Sequence, residues 1–159
     1  MKQMIQKGLV LAVLGLTTLL SAAFGGTDSY RIYLNHKLIL QQYVGRPLDL
    51  ESLPLSAANS NDKLVVYYNH CGEIGKGRAI SIKDEKGVVL KEWKFADATS
   101  TDPTADAGMI IPVKEILELQ AKNPGLSMYY SAQQLPAGRL LTRVGKATKP
   151  LAALTTPRP

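Results

Sequence analysis

The chain holds one cysteine and two histidines in 159 residues, and this scarcity removes more functions than any motif adds. With Cys71 alone, no intramolecular disulfide can form, so the fold must rest on its apolar core. His36 and His70 are too few for a His-Glu-x-x-His zinc helix, and no serine sits in a nucleophile elbow. A basic surplus is also missing from the body of the chain. Of the 19 Lys and Arg, Lys2 and Lys7 lie at the start and Lys146, Lys149 and Arg158 at the end. Between residues 24 and 144 that leaves 14 basic against 13 acidic side chains, so the formal net charge of +6 belongs to the termini. Without a clustered basic face, nucleic acid is not an expected partner.

Long hydrophobic runs are scarce too. One of about 13 residues covers 8–20, after Lys2 and Lys7, and is shorter than the ~20 a membrane-crossing helix needs. Small residues follow, including Ser21, Ala22 and Ala23, so residues 1–23 read as a signal peptide cleaved near residues 23–25. The mature protein is then expected in the periplasm or outside the cell, with no membrane span.

What is present is mostly a period-two pattern, the mark of strands with one buried face. Residues 30–34 alternate, Asn35-His36 is a turn, 38–44 return, and 48–55 suit a short edge strand. Residues 64–68 read as a central strand, and 78–83 and 88–95 as a hairpin closed by Asp84-Glu85-Lys86-Gly87. A loop over 97–108 precedes a short strand at 109–111. A single helix spans 112–122, with Pro112 in its first turn and Asn123-Pro124-Gly125 as its stop. Two more strands, 126–131 and 139–144, flank a loop at 133–138, and 145–159 read as a disordered tail containing prolines.

The expected fold is therefore mainly β: one domain over 27–144, an antiparallel β-sandwich of immunoglobulin-like architecture. It would hold about seven to nine short strands, with one late helix crossing between sheets. A small β-barrel and an α+β sheet are the alternatives.

Candidate chemistry is thin. The Gly72 to Arg78 segment has two residues, not four, between its first glycine and Gly75-Lys76, so it is no nucleotide loop. Its amides with Lys76 and Arg78 could still hold a small anion. His70-Cys71 are metal-ligating types, but neighbours on a strand point to opposite faces. A small metal- or redox-handling protein using Cys71 with His70 or His36, with copper or zinc as the metal, is therefore the alternative reading, and Cys71 is otherwise expected to be packed as a small hydrophobe. Asp97, Asp102 and Asp106 match no compact calcium loop.

The seven tyrosines offer the best surface. With Ile32 and Leu34 inward, Tyr33 points out; with Leu38 and Leu40 inward, Tyr43 points out; with Met128 and Tyr130 inward, Tyr129 points out. Outward tyrosines favour contact with a protein or a glycan. The sequence thus predicts an exported binding or envelope-associated module that needs no cofactor, with no reaction identified. Tyr33, Tyr43, Tyr129, Lys76 and Arg78 are its candidate ligand-binding residues.

Overall fold

Alternate burial of Tyr30, Ile32 and Leu34 makes strand β1 (Ser29–Leu34) one-sided, and the same rhythm recurs along the chain. The computed structural model describes residues 27–46, 52–101 and 108–146; the expected leader (1–23) and residues 147–159 lie outside them. Eight further strands follow among the described residues: β2 (Lys37–Tyr43), β3 (Ser52–Leu55), β4 (Lys63–Asn69), β5 (Ala79–Lys83), β6 (Val89–Lys94), β7 (Met109–Pro112), β8 (Leu126–Ala132) and β9 (Leu135–Lys146). One helix, α1 (Val113–Lys122), and a 3-10 turn, Ala57–Asn59, complete the set.

The strands form a four-stranded sheet, ordered β2-β1-β4-β7, and a five-stranded sheet, ordered β3-β9-β8-β5-β6. Every pairing is antiparallel except β3 with β9. Ile32, Leu64, Val66, Met109 and Ile111 of the first sheet share one core with Ile80, Ile82, Leu126 and Met128 of the second. The expected β-sandwich is what forms; the strand order by itself assigns no immunoglobulin identity.

Turn chemistry matches the residues. Asn35 takes φ 55° between β1 and β2, a left-handed conformation that asparagine tolerates. Its side chain bonds Asp62 Oδ1 and the Lys63 amide, both at 2.9 Å, joining this turn to the start of β4. Between β5 and β6, Asp84 Oδ1 accepts the amides of Lys86 and Val88 at 2.9 Å, and Gly87 supplies φ 81°.

As expected, α1 carries the chain from the first sheet to the second. Pro112 does not enter its first turn: at ψ 125° it is still extended, ends β7 and serves as the N-cap. Val113 and Ile116 enter the core, while Glu115 Oε2 accepts Trp93 Nε1 and pairs with Lys91 Nζ, both at 3.1 Å. The helix thus links edge strand β7 to edge strand β6.

Three further expectations fail locally. Residues 133–138 are not one loop, because β9 begins at Leu135; Pro136 and Gly138 sit in an irregular stretch of the pairing, where Gly138 takes φ 74°. At its other end β9 runs through Lys146, into the segment read as tail, where β3 pairs alongside it. Leu38 faces out, not in: the β1–β2 register shifts after Ile32, which pairs with Leu40, so that Tyr33 pairs with Leu38. One extra residue is enough to reverse a side chain's face. Of the edge strand expected at 48–55, residues 52–55 form it and 48–51 lie outside the described residues.

Because Ile116 is fully buried, Ile116→Ala should lower stability by about 2–5 kcal/mol. Urea unfolding checks this; a loss below 1 kcal/mol would mean that α1 is not part of the core.

Candidate functional site

The strand rhythm that buries one tyrosine of each doublet exposes the other. On the outer face of the four-stranded sheet, cross-strand pairing sets Leu38, Tyr33, Val65 and Ile110 in one row across all four strands. The next row runs Gln41, Arg31, Tyr67, and a third Tyr43, Ser29, Asn69. Leu38 is 42% and Ile110 52% exposed, unusual values for large aliphatic side chains at strand positions. The rings of Tyr33 and Tyr67 meet edge to face at 5.7 Å and 83°. A methyl group on Gly108 would run into Val65 Cγ1 and the Tyr67 ring, so only glycine lets the backbone pass this close.

These groups enclose a cleft of about 430 Å³ lined by Arg31, Tyr33, Asn35, His36, Val65, Tyr67, Gly108 and Ile110. The Asn35 amide is already committed to Asp62 and Lys63. Asp62 is itself held below the usual carboxylate range by hydrogen bonds from Asn35 and Asn59. The cleft can therefore present ring faces, two phenol hydroxyls, a guanidinium and an imidazole.

The other expected tyrosines are divided between surfaces. Tyr43 lies on this same face, its hydroxyl accepting from Gln41 Nε2 at 2.8 Å and its ring 5.5 Å from the Arg46 guanidinium carbon. Tyr129 projects from the opposite sheet, where Lys83 Nζ lies 4.3 Å from its ring centroid. It borders a separate cleft of about 710 Å³ with Asp84, Glu85, Gln120 and Arg143. Tyr129 thus cannot act with Tyr33 on one ligand. Tyr67, paired with Arg31 at the centre of the face, belongs to the site although it was not singled out; its place opposite Tyr68 in the strand period was the available signal.

Lys76 and Arg78 do not form an anion cradle. Arg78 is buried, at 4% exposure, with Nε donating to the Ala96 carbonyl at 2.8 Å. The loop amides have partners from the chain itself: Gly77 N donates to Asp97 Oδ1 at 2.7 Å and Lys76 N to Gln134 Oε1 at 3.3 Å. Asp97 supplies the negative charge that an outside anion would have brought. Of the other two acids in that loop, Asp102 and Asp106 lie outside the described residues.

The His–Cys set is also separated. Cys71 is exposed, not packed, because the chain leaves β4 in a turn where Cys71 takes φ 47°. His70 points the other way, into the core. His36 sits at the far end of the sheet: Ser29 pairs with Asn69 and Leu34 with Leu64, so roughly 17 Å of strand separates the two turns. Among the described residues no three His, Cys, Asp or Glu side chains gather as a metal site.

His70 instead belongs to a buried aromatic array. Tyr68 stacks on Tyr130 at 4.1 Å and lies 6.2 Å from Tyr30, nearly parallel to both. Tyr30 OH donates to the Leu141 carbonyl (2.6 Å), Tyr68 OH to Asp28 Oδ2 (2.9 Å), and His70 Nε2 lies 2.7 Å from Tyr130 OH. Burial pushes the Tyr30 phenol up to about 12, raises Tyr68 further, and lowers His70. Asp28, His70 and Tyr130 resemble a catalytic relay in composition only. Tyr130 is 0% exposed, Gly75 packs against its hydroxyl, and His70 Nδ1 is 3.9 Å from Asp28.

Two outcomes follow. His70, with its pKa lowered by burial from 6.5, stays neutral while the unfolded chain takes up a proton. Stability should therefore be constant above that value and fall as pH drops below it, with a flatter profile for His70→Asn. Urea midpoints at about pH 7.5 and pH 5 check this, and equal midpoints for the wild type would refute it. Tyr130→Phe should cost about 1–3 kcal/mol by stranding the buried imidazole nitrogen. No protein-family model matches this chain, and no curated protein or solved structure matches it either.

Proposed function

We propose that this chain is an exported, non-catalytic recognition module, periplasmic or secreted, that binds a protein or glycan of the cell envelope. The observation that carries it is the row of Leu38, Tyr33, Val65 and Ile110, which runs across four strands with its two end residues about half exposed. A sheet face that only had to contact water would carry polar side chains at these positions. Tyr67 and Tyr43 widen the row with rings that have both an apolar body and a hydroxyl, the composition favoured at contact surfaces. Support for export comes from the basic start and the short apolar run at 8–20. The seclusion of Tyr130 supports binding over catalysis.

The test is retention on isolated envelope material. Full-length chain expressed in a Gram-negative host should appear outside the cytoplasm, shortened by about 23 residues, as intact mass would reveal. The purified mature protein should sediment with washed envelopes. A Tyr33→Ser/Tyr67→Ser variant should stay in the supernatant, while Tyr129→Ser, on the opposite face, should sediment like the wild type. Equal retention of all three proteins would reject the proposed face.

A further inference from the structure

We infer that the cleft between Tyr33 and Tyr67 takes an acidic sugar unit, a six-membered ring bearing a carboxylate, as part of an envelope polysaccharide. This rests on the recognition face proposed above and specifies its ligand. The first observation is charge. The cleft's ionisable lining among the described residues, phenols aside, is Arg31 and His36, and no described carboxylate lines it. Asp62, hydrogen-bonded to Asn35 and Asn59, does not line the cleft. Arg31 is half-buried and its side chain makes no ion pair or hydrogen bond with the described residues, although its planar fork is suited to a carboxylate.

The second observation is the wall beside it. Tyr33 and Tyr67, both half-buried, meet edge to face at 83° and both line the cleft. The electron-rich face of a tyrosine accepts the weakly positive C–H face of a pyranose, and the phenol hydroxyls both donate to and accept from sugar hydroxyls. At about 430 Å³ the cleft lies within the range of small-molecule sites.

The third observation selects a sugar over an extended peptide. Arg31 and Tyr33 belong to β1 and Val65 and Tyr67 to β4, and both strands lie inside the sheet, paired on each side. At Arg31, Tyr33 and Val65 the backbone is committed to ladders on both sides, so an added peptide strand gains no main-chain bonds there; beside Tyr67, past the end of the β7 ladder at Val66, only the pairing with Arg31 is formed. Recognition at Arg31, Tyr33 and Val65 therefore comes from side chains, which suits a ring edged with hydroxyls and one charge.

The experiment titrates the mature protein with oligogalacturonate and with neutral galactose oligomers of equal length, following Arg31, Tyr33 and Tyr67 by NMR. The acidic oligomer should bind at least roughly tenfold more tightly, the usual loss when a charge-assisted hydrogen bond is absent. Arg31→Gln should erase that preference, and Lys94→Gln, on the other sheet, should keep it. Raising salt from about 0.05 to 0.5 M should weaken the acidic oligomer selectively. Equal binding of both oligomers, or an unchanged preference in Arg31→Gln, would overturn the acidic assignment. So would a poly-glutamate peptide shifting the same resonances as strongly as the sugar, or the absence of any shift with either oligomer. Envelope retention that depends on Tyr33 and Tyr67 but not on Arg31 would keep the recognition face and reject only its acidic ligand.

Discussion

Without a disulfide, the two sheets are joined at one end of the core by a stack of three tyrosines, and the outward placement of their strand neighbours Tyr67 and Tyr129 follows from it. Tyr30 and Tyr68 come from the four-stranded sheet and Tyr130 from the five-stranded one. Tyr68 packs face to face on Tyr130, while Tyr30 reaches across to bond the Leu141 carbonyl. A buried phenol left without a partner would be costly, so each hydroxyl fixes where its strand can lie. Ring area and hydrogen bonds together do the joining that a sulfur cross-link does in many small exported domains.

A strand that must bury Tyr68 has to present Tyr67 to the other side, since successive side chains alternate. The Tyr67-Tyr68 doublet therefore supplies the core and the outer face from one short segment. Tyr129-Tyr130 does the same on the second sheet, which is why the outward tyrosines end up on two opposed surfaces. Among the described residues, only the four-stranded sheet's surface combines its ring with further tyrosines; the other carries the exposed aliphatic Val89 beside Lys83. On the four-stranded sheet the register of β1 with β2 and β4 brings Leu38, Tyr33 and Val65 into line, and Gly108 lets the chain press close against Tyr67.

Much of the fold could be read in advance, because hydrophobic alternation and turn residues are local signals. The hairpin closed by Asp84 and Gly87, the two-residue turn at Asn35-His36 and the late helix between sheets all formed where their residues indicated. Most of the errors share a cause: they depended on a partner outside the segment that carries the residue. Leu38 faces outward because of a bulge opposite Ile32, which no property of residues 37–43 announces. Arg78 is buried because Ala96 lies ready to accept from it, and Gly77 is satisfied by Asp97. Cys71 is the local exception, exposed because it lies at φ 47° in the turn bridged by His70 and Glu73.

The sequence by itself determined the sandwich class, the inward and outward sorting of most side chains and the reliance on apolar packing. These follow from period-two patterning and from a single cysteine, neither of which needs long-range information. Only the tertiary structure decided which outward residues become neighbours. It placed Tyr33, Tyr67 and Arg31 around one cleft, moved Tyr129 to the far face and kept His36 away from Cys71. Alternation along a strand selects a side of the sheet, but neighbours across a sheet are set by strand order and register, which arise only when distant segments pair.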